Sequence, residues 1–111
     1  MPDDESRFTE IFKESIKETI QDIVGQSPSQ ALLFHLGFPG SAERPAEFDK
    51  NLRAILLAGS SMMELAIVKR LWDKMGLFLI HANEPGSFEE RITRARELFS
   101  ERQKQRQVFA S

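Results

Sequence analysis

Between Pro45 and Gly76 two helical patterns meet at Gly59-Ser60-Ser61, and the second of them is apolar on nearly every side. Leu65, Val68, Trp72 and Met75 form one stripe on Met62 to Met75, and Met63, Ile67 and Leu71 form another. A helix that is hydrophobic around most of its circumference has to be covered by other elements. The chain is therefore expected to wrap a central buried helix, residues 62–75, and the rest of the sequence must supply the wrapping.

The remaining segments read as helices of the right kind. Phe8, Ile11, Phe12, Ile16, Ile20, Ile23 and Val24 recur at i, i+3, i+4 and predict a surface helix from about Ser6 to Val24, ended by Gly25. Ser27-Pro28 predicts the start of a second, short helix over Pro28 to Leu36, because a hydroxyl caps and proline suits the first turn. Phe38 to Arg44 reads as a loop. Pro45 opens a third helix carrying Phe48, Leu52, Ile55 and Leu56, which Gly59 stops. Ser61-x-x-Glu64 predicts a capping box for the central helix, and Ser87-x-x-Glu90 predicts a second one for a final helix carrying Phe88, Ile92, Ala95 and Phe99. Leu77 to Ile80 is the one plausible strand, read as a short extended segment pinned on the core or pairing with its copy in a dimer. The sequence predicts an all-α fold of about five helices in a single domain over residues 1–111, with an ordered core at about 6–101 and flexible or extended tails.

Composition narrows the function classes. With 111 residues the chain can bury one core but not two. Nine Phe, one Trp and no Tyr favour an apolar interior, since Phe brings area without a polar group to satisfy. The absence of cysteine excludes disulfides, thiol nucleophiles and thiolate metal sites. A net charge of −2 gives no reason to expect nucleic acid or an anionic membrane surface. No signal-peptide pattern opens the chain and its unbroken apolar runs are short, so a cytoplasmic protein with no membrane partner is expected.

No catalytic pattern stands out. His35 and His81 lie in different elements without the spacing of a zinc pair, and are read as a partly buried structural histidine and a loop histidine. Asp73, between Lys69, Arg70 and Lys74, reads as an ion-pairing residue. Ser60-Ser61 has no nucleophile elbow around it and is explained by helix capping. No glycine-rich phosphate loop is present. An enzyme is not expected, and neither is a cofactor or a metal. The helix-turn-helix length of residues 45–75 suggests DNA binding, but Met62, Met63, Glu64 and Leu65 occupy the positions where base-reading side chains should stand. The basic residues of the last helix, Arg91, Arg94, Arg102, Lys104 and Arg106, are the better nucleic-acid candidates, offset by Glu89, Glu90, Glu97 and Glu101. Met62, Met63, Leu77, Phe78 and Phe109 are more apolar groups than five short helices obviously hide, so they are candidate interface residues, with a monomer core as the alternative home.

The runs Ala31-Leu32-Leu33-Phe34-His35-Leu36, Phe48-x-x-x-Leu52-x-x-Ile55-Leu56, Gly59-Ser60-Ser61-Met62-Met63-Glu64-x-x-Ile67-Val68-x-x-Leu71-Trp72-x-x-Met75-Gly76 and Ser87-Phe88-Glu89-Glu90-x-Ile92-x-x-Ala95-Arg96 resemble a small archaeal family, the Nitrosopumilus output domain, over about residues 8–100. The resemblance implies a compact helical domain, alone or attached to signalling proteins, acting as an output or interaction module. The family has no established activity, so no catalytic residue carries over. The expected function is a non-enzymatic protein-interaction or signal-output module that self-associates as a homodimer. The alternative is a nucleic-acid-associated regulator using the basic C-terminal helix.

Overall fold

In a computed structural model the chain is described over residues 4–76 and 86–110, with side chains over 5–76 and 86–104. Among the described residues there are five α-helices and no strand: α1 (Asp4–Val24), α2 (Gln26–His35), α3 (Pro45–Leu56), α4 (Ser60–Lys74) and α5 (Phe88–Ala110), with 3-10 turns at Gly40–Glu43 and Leu57–Gly59. The fold is all-α. The helical run from Pro45 to Lys74 is continuous through the second 3-10 turn, so counted as unbroken helical runs α3 and α4 are one. The extended segment expected at 77–80 lies outside the described residues.

Helix α1 forms as its periodicity requires. Phe8, Phe12, Ile16 and Ile20 repeat every fourth residue and are all fully buried. Ser15 sits on the same buried face, and its hydroxyl donates back to the Ile11 carbonyl at 2.8 Å. Gly25, at φ 91°, separates α1 from α2 with a single residue. α2 begins at Gln26, two residues before the expected proline start, and no side chain caps it. Pro28 still falls in the first turn, where its missing N–H is not needed.

α4 packs against α1, α3 and α5. Met63, Ile67, Val68, Leu71, Trp72 and Met75 are buried, and Trp72 is the largest enclosed side chain of the protein. Ser61, Met62, Lys69 and Asp73 face out, so the expected wrapping covers most of the circumference but leaves one side open. α1 and α4 run antiparallel. Arg70 pairs with Glu18 at 3.3 Å and with Asp22, while Lys74, one turn on, pairs with Glu18 at 3.0 Å and Glu14 at 3.7 Å. These cations reach across to α1, which corrects the expectation that they would pair with Asp73 on their own helix.

Five phenylalanines hold the other side together. Phe99 of α5 meets Phe8 at 6.0 Å between ring centroids, Phe8 meets Phe12 at 6.2 Å, Phe12 meets Phe88 at 6.1 Å and Phe88 meets Phe48 of α3 at 5.7 Å. Offset and tilted ring pairs of this kind add about 0.5–1.5 kcal/mol each beyond the area they bury.

The run from Pro45 to Lys74 is long and apolar enough by length and composition to cross a bilayer, with a mean hydropathy of 1.3 in its richest window; the short unbroken apolar runs had not indicated this. In the fold it does not form one rod. Leu57 has φ 51° and ψ −121°, and α3 turns back against α4 there. The Asp49 and Glu64 side chains are hydrogen-bonded, whereas a straight helix would hold those positions roughly 22 Å apart along its axis.

Candidate functional site

Among the described residues the exposed large apolar side chains are Ile23, Phe34, Ile55, Leu57 and Met62, and the last three fall close together in sequence at the α3–α4 corner. Leu57 is 73% exposed, Met62 79% and Ile55 42%. Leu57 also has the backbone conformation that glycine adopts freely and a side chain resists, an arrangement that costs about 1–3 kcal/mol. Met62 is thus a surface residue, as an interface requires. Met63 is not: it is 4% exposed and part of the core, because one step along a helix swings the side chain by about 100°. Leu77 and Phe78 lie outside the described residues, as does the side chain of Phe109.

Behind the corner is a polar cluster that the sequence did not single out. Glu64 is only 6% exposed. It is hydrogen-bonded to Asp49 of α3, and its Oε2 atom has no hydrogen-bond partner. Asp49 in turn accepts from Arg53 Nε at 2.8 Å, and Arg91 approaches from α5. Burial, reinforced by the hydrogen bond and charge of Asp49, pushes the Glu64 carboxyl up to about 8 against the lowering pull of Arg53 and Arg91. Beside it a cleft of about 140 Å³ is lined by Arg53, Ser61, Glu64, Ser87, Phe88 and Arg91 among others. The capping box expected at Ser61-x-x-Glu64 does not form. No side chain caps α4; Ser60 instead donates from Oγ to the Leu57 carbonyl at 2.7 Å, and Glu64 turns inward to α3. The matching motif at Ser87 does form, with Ser87 N–H donating to Glu90 Oε1 and Glu90 N–H to Ser87 Oγ, both at 3.1 Å.

The basic residues of α5 are dispersed among separate structural tasks. Arg102 donates from Nη1 to the carbonyls of Met75 at 2.9 Å and Gly76 at 2.7 Å, closing the end of α4. Arg96 lies 5.3 Å over the Phe8 ring. Arg94 pairs with Glu97 at 3.8 Å, Arg91 borders the cleft, and Lys104 is exposed. The Arg106 side chain is outside the described residues. His35, expected to be partly buried, is exposed and meets the exposed Phe34 ring edge-on at 5.7 Å, because α2 is covered on one side only. His81 is outside the described residues. Among the described residues no three His, Asp or Glu side chains are placed to hold a metal ion.

No family model, curated protein or solved structure matches the chain.

Proposed function

We infer that the protein is a non-enzymatic interaction module that self-associates through the α3–α4 corner. The observation that carries this reading is the exposure of Leu57 and Met62 on a backbone strained at Leu57. Exposed apolar groups that cluster mark contact surfaces more often than scattered ones do, and strain persists where the surroundings enforce it. A symmetric dimer is the commonest closed arrangement for one self-complementary patch. The resemblance to the output-domain family points to the same class of role.

Light scattering over a concentration series tests it. The wild type should shift from monomer to dimer mass as concentration rises, and Met62→Glu should stay at monomer mass with an unchanged circular dichroism spectrum. A wild type that remains monomeric at every concentration overturns the reading.

A further inference from the structure

We propose that Asp49 and Glu64 share one proton across the α3–α4 junction, and that loss of this proton releases α3 from α4 and α5. Two carboxyl groups in hydrogen-bond contact need a proton between them, since two carboxylates at that separation repel. The contact is enclosed: Glu64 is nine-tenths buried, and its second oxygen already has no hydrogen-bond partner. Ionising Glu64 would place a full charge on that oxygen, where an unsatisfied group is most unfavourable.

The facing charges do not remove the conflict. From α3 come Asp49 itself and Arg53, whose Nε is already engaged with Asp49 Oδ1. From α5 comes Arg91, at the cleft. From α1 come Glu14, Glu18 and Asp22, which meet α4 at Arg70 and Lys74, further along the helix. Two arginines at the junction favour ionisation, yet burial and the neighbouring carboxylate outweigh them, as the raised titration range of Glu64 indicates. When the proton leaves to solvent, the new carboxylate gains most by drawing water into the adjacent cleft. That movement parts the corner carrying Leu57 and Met62. The device stands independently of self-association, because it concerns one folded chain.

Carbon-13 NMR of the glutamate side chains, with hydrogen exchange of the 45–56 amides, tests it at monomer concentrations. The Glu64 carboxyl carbon should titrate near the upper value and not with the surface glutamates. The ratio of exchange rates between wild type and Glu64→Gln removes the intrinsic pH dependence of exchange. It should rise by up to about tenfold per pH unit between the unfolded value of 4.5 and about 8, the linkage limit for one proton, and level off above that. Asp49→Asn should move the Glu64 midpoint down. A Glu64 carbon titrating in the ordinary carboxylate range overturns the proposal, as does an exchange ratio that stays flat with pH.

Discussion

Arg102 of α5 donates from Nη1 to the main-chain oxygen of Met75, the residue that closes α4, at 2.9 Å. One guanidinium thereby satisfies carbonyls that the end of a helix leaves without partners, and its charge suits the negative end of the helix dipole. Arg102→Ala should lower unfolding stability by about 1–3 kcal/mol, read from urea denaturation. Gly76 contributes to the same closure. It has φ 68°, and a Cβ there would lie 3.0 Å from Arg102 Nη1, so Gly76→Ala should be destabilising in the same assay by at least about 1 kcal/mol.

Met62 and Met63 are neighbours with opposite environments. Met62→Glu should leave the thermal midpoint nearly unchanged, within about 0.5 kcal/mol of wild type. Met63→Glu places an unpaired charge in the core and should abolish the cooperative thermal transition. Calorimetry on the two proteins separates surface from core.

Relief of the backbone strain at position 57 should be measurable. Leu57→Gly exchanges a strained leucine for the residue that tolerates positive φ, while adding freedom to the unfolded chain. The net effect should be a gain of roughly 1 kcal/mol in stability. The same substitution removes an exposed apolar group, so dimer mass in light scattering should fall as stability rises.

The pH dependence has two arms. Glu64 is raised above its unfolded value of 4.5, so its contribution is fully present below that value and disappears as pH rises toward 8. Glu18 is lowered, chiefly by its hydrogen bond from Lys74, so its smaller, solvent-screened contribution is present above its unfolded value and lost as the solution is acidified. Urea midpoints should therefore decline on both sides of a weakly acidic maximum. Glu64→Gln should flatten the alkaline arm, with a gain on the order of 2 kcal/mol at about pH 9.

Ser87 and Ser61 stand in the same local motif and should respond differently. Ser87→Ala removes the Oγ that accepts from the Glu90 N–H in a formed capping box, leaving the main-chain bond to Glu90 Oε1, and should cost about 1 kcal/mol. Ser61→Ala breaks no cap and should stay within about 0.5 kcal/mol of wild type by denaturant titration.

These contrasts show where the sequence was readable. α1, α3 and α5 each bury one stripe, so the spacing of Phe8–Phe12–Ile16, Phe48–Leu52 and Phe88–Ile92 was enough to find them. The start of α2 was missed because Gly25, not Ser27, makes the break, and a continuous helix resumes after one residue. The hydroxyl-x-x-acid signature reports local spacing alone. Whether the acid returns to its own helix end, as Glu90 does, or sinks against another helix, as Glu64 does, depends on tertiary neighbours. The acid pair was invisible for the same reason: Asp49, Arg53, Glu64 and Arg91 come from three helices, and no short window contains them. His35 was misjudged because a near-continuous apolar run gives no direction to its sides.

The ladder of phenylalanine rings bears on how this molecule is made. Phe8 finds Phe99 only after the chain has been made through α2, α3 and α4 and into α5, and Phe88 must arrive before Phe12 and Phe48 are bridged. A nascent chain emerging from the ribosome would hold its first helix without its aromatic counterparts until the last helix appears. Completion of the core is in that sense deferred until α5 has been made, and a product cut short before residue 88 would leave those rings open to other chains.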